Sequence, residues 1–370
     1  MKNFLFLLSV LLVSVSFGQT AEEYKNQGNE KYKLQDYRGA ILDYTKAIEL
    51  DPAYAFAYNN RGNVKNDLED YIGAIADFSK AIELDPKYVF AYYNRGKAKE
   101  GLEDYKGAIV DYTKAIELDP KDGDAYYARG IAKTSVEDNI GAIEDFNKAI
   151  KLNPTNVLAY FNRGTTKNVL EDRSGAILDY NKAIELDPTY TEVYCFRGLT
   201  KFNLQDYRGA IVDFSKAIEL DPALSGPYFT RGEAKNNLKD YKGAILDFNK
   251  VIELDPASES AYYNRGFSKF NLEDYRGAIP DFSKAIDLYP QYTESYFRRG
   301  CAKVFLEDHR GAIADFTNTI ELDPKYSAAY FMRGLAKNSL SDIDGACLDL
   351  SKAGELGDGD AYEYIKKYCN

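Results

Sequence analysis

Few side chains in this sequence are of a kind that does chemistry, and their spacing gathers none of them into a reactive set. The one histidine, His309, stands in a slot that most parallel positions fill with tyrosine, among them Tyr37, Tyr71, Tyr207 and Tyr275. A general base needs a positioned partner, so His309 reads as a substitution in a structural position. Cys195, Cys301, Cys347 and Cys369 form no Cys/His cluster at metal-ligand spacing. The recurring Glu-Leu-Asp-Pro turns are acidic, but one such turn at a time is a solvated edge and not a calcium loop. Arginine, lysine and aspartate do recur together, from Arg61, Lys65 and Asp77 through to Arg333, Lys337 and Asp349. Either they form a polar ladder inside the structure or they line an anion-binding track. The ladder is favoured, because the aspartates would already occupy the guanidiniums. No catalytic residue, metal site or cofactor is expected, and the chain reads as a non-enzyme.

What positions these residues is a strict period. Gly28, Gly62, Gly96, Gly130, Gly164, Gly198, Gly232, Gly266, Gly300 and Gly334 lie 34 residues apart without insertion or deletion, and an alanine follows each 12 residues later, from Ala40 to Ala346. Prolines close the units from Pro52 to Pro324. A period of this size means stacked supersecondary units, and it overrides the two or three domains that 370 residues would otherwise suggest. The units run 21–54, 55–88, 89–122, 123–156, 157–190, 191–224, 225–258, 259–292, 293–326 and 327–360, followed by a capping helix over 361–370. Apolar and small residues in the second unit (Tyr58, Gly62, Val64, Leu68, then Tyr71, Ala74, Ile75, Phe78, Ala81, Ile82) recur at spacings of three and four. That is helical periodicity in both halves. Asp70 between the halves is an N-cap signal that every unit repeats, and Leu-Asp-Pro stops the second helix. Each unit is therefore two antiparallel helices, A and B. Pro280, inside helix B of the eighth unit, is expected to bend that helix or remove a hydrogen bond.

The first 18 residues differ in kind. Lys2, an apolar run from Phe4 to Val15, and small residues Ser16 and Gly18 before Gln19 have the layout of a cleaved secretory signal, so a periplasmic or secreted protein is expected. The net charge of -11 argues against nucleic acid and against anionic membranes as partners. Export permits disulfides. Cys195 and Cys301 stand too far apart in an array to pair. Cys347 and Cys369 meet only if the tail packs back, and four plain thiols are the favoured reading.

Numbered so that the recurring glycine is position 8, the unit has an aromatic at 4, small residues at 8, 20 and 27, aromatics at 17 and 24, and proline at 32. This set resembles the tetratricopeptide repeat (TPR) over Ala21 to about Leu356. It departs from that family in having Arg at 7, mostly Glu at 15, and an added Gly at 19 (Gly39 to Gly345). The resemblance implies an all-α, right-handed superhelical solenoid of ten repeats that binds protein segments or peptides in a concave groove. It implies groove residues at positions 2, 5, 9, 12 and 13 of helix A. Here those positions supply Tyr93, Tyr127, Phe161, Leu199, Phe202, Phe229, Tyr263, Phe267, Phe270, Phe297, Val304, Phe305 and Phe331. The apolar ones concentrate in the later units. The resemblance also implies a weaker carboxylate contact at Lys25, Asn29 and Asn60, although Phe90 and Asn94 replace two cations that such a clamp uses. A glycan- or cell-wall-binding module and a plain spacer are the alternatives, the former disfavoured by the absence of Trp.

Overall fold

The computed structural model describes residues 19–369, so the proposed signal at 1–18 lies outside the described residues. Among the described residues there are 21 helices and no strand, and no helix is long and apolar enough to cross a membrane. The chain divides into two compact units, Met1–Glu171 and Asp172–Asn370. The first holds α1 (Ala21–Lys33), α2 (Tyr37–Leu50), α3 (Ala55–Asp67), α4 (Tyr71–Leu84), α5 (Val89–Gly101), α6 (Tyr105–Leu118), α7 (Gly123–Ser135), α8 (Asn139–Leu152) and α9 (Val157–Val169). The second holds α10 (Arg173–Leu186), α11 (Thr191–Asn203), α12 (Tyr207–Leu220), α13 (Ser225–Asn237), α14 (Tyr241–Leu254), α15 (Glu259–Asn271), α16 (Tyr275–Leu288), α17 (Thr293–Phe305), α18 (His309–Leu322), α19 (Ser327–Ser339), α20 (Ile343–Glu355) and α21 (Ala361–Tyr368). Within each unit, consecutive helices pack as A–B pairs and each pair packs on the next. This is an α-solenoid.

Local chemistry sets the turns. Each helix B begins on the aspartate at position 16, whose carboxylate accepts from the backbone N–H of the glycine at 19, as Asp70 does from Gly73 at 3.0 Å. A Cβ at Gly73 would run into that carboxylate. The added glycine at 19 is thus the partner of the cap. Each helix A ends with position 15 in the left-handed region. Glu103, for instance, has φ 60°, and the Asp104 N–H bonds back to Lys99 O at 2.9 Å while Glu103 N–H reaches Glu100 O at 2.8 Å. This is a Schellman ending, which normally carries glycine. Glu103→Gly is expected to stabilise the protein by about 0.5–1 kcal/mol, since relief of the left-handed penalty exceeds glycine's unfolded-state entropy. A higher urea midpoint checks it, and a lower one would refute it.

The recurring arginine is committed inside the structure. Arg95 donates bidentately to Asp111 of its own unit at 2.9 and 2.6 Å and to Ser79 of the preceding unit at 3.1 Å, while Lys99 reaches Asp111 at 2.7 Å. Arg61, Arg129, Arg197, Arg231, Arg265, Arg299 and Arg333 repeat the pattern. Each lies over the tyrosine at position 4, as Arg95 does over Tyr92 at 5.7 Å. The first repeat has Gln27 instead of arginine. No earlier helix B exists there for an arginine to reach, and Asp43 is served by Lys31 alone at 2.7 Å. The anion track is therefore closed: these cations are internal.

Two sequence readings change. Cys347 and Cys369 form a disulfide, Cα–Cα 5.7 Å, which overturns four plain thiols. The tail folds back because Ala361 is fully buried and the Tyr362 ring lies against Gly354, its hydroxyl donating to Gly354 O at 3.3 Å. Cys195 and Cys301 stay free thiols, both held well above the usual thiol range, first by burial. Pro280 sits inside α16, yet α16 keeps the 14 residues of its neighbours, so the missing N–H does not break the helix.

Candidate partner-binding faces

In the unit Met1–Glu171 the helix A residues present amides. Asn94 Nδ2 donates to Asn59 Oδ1 (3.1 Å), Asn59 Nδ2 to Asn60 Oδ1 (3.3 Å), and Asn60 Nδ2 to Asn29 Oδ1 (3.0 Å), which also accepts from the Tyr44 hydroxyl at 2.8 Å. Asn29 and Asn60 are thus brought together as expected, on a cavity of about 950 Å³ shared with Asn26, Tyr32 and Asn63. Lys25 is absent from its lining. The lysines that do line it are paired, Lys31 with Asp43 and Lys33 with Glu30 at 2.8 Å. A carboxylate clamp has no free cation here, and the cavity offers amide and phenol hydrogen bonds instead.

A smaller polar cavity of about 200 Å³ lies between Tyr32, Asn63, Asn66, Asp67, Asn94 and Lys97. The Tyr32 hydroxyl donates to Asp67 at 2.5 Å. Asn66 Oδ1 is buried without a hydrogen-bond partner, as is Glu100 Oε1 on the neighbouring helix. The other Glu100 oxygen accepts from Tyr112 at 2.8 Å, and burial holds the Glu100 carboxyl above its ordinary range. Sequence reading passed over Glu100, Tyr112 and the amide row because each bond joins different repeats. The signal available was asparagine recurring at position 6 (Asn60, Asn94, Asn162, Asn264).

The position 5 aromatics turn out to be a supporting layer. Each packs on the buried ring at position 24 of its own helix B: Tyr93 on Tyr112 (5.6 Å), Tyr127 on Phe146 (6.0 Å), Phe229 on Phe248 (5.8 Å), Tyr263 on Phe282 (5.9 Å) and Phe297 on Phe316 (5.7 Å). Phe161 is half-buried on α9. Phe297 belongs to the core, with 9% of its surface exposed, and is withdrawn as a groove residue. Phe331 is covered by Tyr364 of α21, edge-on at 5.3 Å. The small residue at position 8 makes this layer possible: a Cβ at Gly232 would lie 2.8 Å from the Phe248 ring.

Positions 9, 12 and 13 of the unit Asp172–Asn370 carry the accessible apolar surface. Leu199 and Phe305 are exposed, and Phe202, Phe267, Phe270 and Val304 are half-buried. Phe270 and Phe305 come together (5.8 Å), and Phe305 stacks on Tyr275 at 4.5 Å with planes 4° apart. Phe202 stands instead against Tyr207 at 5.3 Å. Tyr207 and Tyr275 were assigned no groove role in the sequence, although tyrosine at 17 lies where helix B meets the end of helix A. Arg298, also unremarked, lies over Phe267 at 5.6 Å and donates to Glu294 at 2.8 Å, while Tyr326 donates to the other Glu294 oxygen at 2.6 Å.

Family comparison agrees with this geometry. The tetratricopeptide repeat description matches residues 89–122 and 260–292 in one form, and 123–156, 157–190, 191–224 and 293–326 in another. A TPR repeat description matches 28–67, 62–103 and 232–273. The chain is a tetratricopeptide repeat protein. Among solved structures it is similar to the C-terminal part of a TPR repeat-containing protein from Cytophaga hutchinsonii, at 21% identity over 64% of this chain and 97% of that one, TM-score 0.58. It is also similar to a TPR protein from Parabacteroides merdae, at 20% identity over 68% and 99%, TM-score 0.50. At those identities the likeness speaks for the fold alone. YrrB, a TPR protein with an unusual peptide-binding site, shares 27% identity over 50% of this chain and 95% of that one, but its TM-score of 0.45 carries no functional weight. No curated protein matches the chain. As a TPR array, the protein has the architecture of an interaction scaffold.

Proposed function

We propose that this TPR protein is a non-enzymatic scaffold that holds extended protein segments on its helix A faces, in an exported, oxidising compartment. The observation that carries the binding reading is Phe305: a large ring left 58% exposed, yet held flat against Tyr275 and beside Phe270. Exposed rings fixed by packed ones are pre-organised anchors, losing little freedom on binding. The amide row of the other unit supports the same reading, because asparagine side chains can both donate to and accept from a peptide backbone. The Cys347–Cys369 bridge supports the compartment, since structural disulfides persist where thiols are not kept reduced.

The test is replacement of Phe202, Phe267 and Phe270 by Ser in the intact chain, with partner capture from the native envelope fraction quantified at equal protein. Binding is expected to fall at least about tenfold, as for loss of interface anchors, with the far-UV circular dichroism retained. Unchanged capture of every partner would remove the groove from the function.

A further inference from the structure

In the unit Asp172–Asn370, one guanidinium site is already built and filled. Arg298 lies over the Phe267 and Phe297 rings at 5.6 and 5.9 Å and bonds to the Glu294 carboxylate. Aromatic faces and a carboxylate together are what a guanidinium requires. One helix earlier, the same ingredients recur with the cation missing. Glu233 occupies position 9 of α13, between Leu199 at that position of α11 and Phe267 at that position of α15. The three helices touch in order, and Ser268 of α15 donates to Asn236 of α13 at 2.7 Å, one turn from Glu233.

The Glu233 carboxylate is half-buried and has no hydrogen bond or ion pair among the described residues. Burial alone acts on its carboxyl, raising it above the ordinary range, and no nearby cation offsets this. The cations on adjoining positions are taken: Arg231 and Lys235 by Asp247, Arg298 by Glu294. Its charge joins those of Glu294 and Glu259 in raising Tyr292, after burial and Tyr263. A half-buried carboxylate among rings is unfavourable alone and favourable with a bound cation.

We propose that the α11–α13–α15 face binds a partner segment through an arginine whose guanidinium pairs with Glu233, with flanking apolar residues on Leu199, Phe202, Phe267 and Phe270. This rests on the groove reading above and adds the chemistry of the occupant. It assigns a basic, apolar-flanked segment to an acidic protein, the opposite of a carboxylate-clamp ligand.

The probe is a fluorescein-labelled amidated peptide, Ala-Leu-Arg-Leu-Phe-Ala, with a second peptide carrying citrulline, the neutral near-isostere, in place of arginine. Fluorescence anisotropy with the intact chain is expected to show the arginine peptide binding about tenfold tighter, the scale of a partly desolvated charge-assisted pair. Glu233→Gln should bring the arginine peptide down to the citrulline level without changing the citrulline peptide. Equal affinity for the two peptides, an arginine preference that survives Glu233→Gln, or no binding of the arginine peptide would each overturn the proposal. Equal binding of both peptides that is lost in the Phe202, Phe267 and Phe270 to Ser variant would leave the groove standing without its arginine. Binding indifferent to those three substitutions would remove both.

Discussion

Replacing Asp213 by Asn is expected to destabilise the unit Asp172–Asn370 by about 3–5 kcal/mol, the usual cost of stranding buried charges. Asp213 is 1% exposed and takes two guanidinium bonds from Arg197, at 3.0 and 2.5 Å, and one from Lys201 at 2.7 Å. Arg197 also reaches back to Asn181 of the preceding repeat at 2.6 Å. Asparagine keeps the volume but leaves two partly buried cations with no counter-charge. The loss should fall on the interface between repeats as well as inside one, because the same guanidinium serves both. Urea unfolding followed by circular dichroism, fitted to a nearest-neighbour repeat scheme, measures it. A loss under about 1 kcal/mol would mean that water compensates the cations, as at an exposed ion pair. Replacing the set together (Arg197→Met, Lys201→Met, Asp213→Leu) should recover most of the stability, since an apolar substitute removes the desolvation problem along with the bonds.

Phe282→Ala is expected to lower stability by about 3–5 kcal/mol, the range for emptying a fully buried aromatic site. The Phe282 ring is completely buried, faces Gly266 and carries Tyr263 at 5.9 Å. Tyr263 in turn stacks near Phe267 (6.5 Å) and Tyr292 (4.9 Å). The cavity should therefore loosen the groove surface, and affinity should fall although Phe282 touches no ligand. A second substitution gives this a sign. Gly266→Ala alone places a Cβ 2.9 Å from the Phe282 ring and should destabilise by about 1–3 kcal/mol as overpacking. In the Phe282→Ala background the same methyl enters the vacated space and should stabilise. Thermal unfolding of the four proteins measures the reversal, and additive losses would show that the two positions do not share a cavity.

The fold was legible because it is written ten times over. Apolar spacing, the Asp at position 16 and the Asp-Pro endings specify two helices per repeat through forces acting within one turn of backbone. The candidate faces were legible only in part. Positions 9 and 12 pointed correctly to Phe202, Phe267 and Phe270 as accessible surface. Position 5 did not, since Phe297 and its counterparts stand on the ring at position 24, 19 residues later in the sequence. The family departures resolve the same way. Gly at 19 makes room for the capping carboxylate, and Arg at 7 is the clamp between repeats.

By itself the sequence determined the period, the helices, the N-caps and the family, because each is decided by residues a few positions apart. The tertiary structure decided which of those residues are spent on packing and which remain for a partner. Arginine at 7, cysteine at 347 and phenylalanine at 297 look as available in the sequence as Glu233 does. Only the stacking of one repeat on the next, and the return of α21 onto α20, satisfies the first three and leaves Glu233 without a counter-charge. Burial and pairing are properties of side chains brought together from distant positions, and a repeat read alone contains only half of each contact.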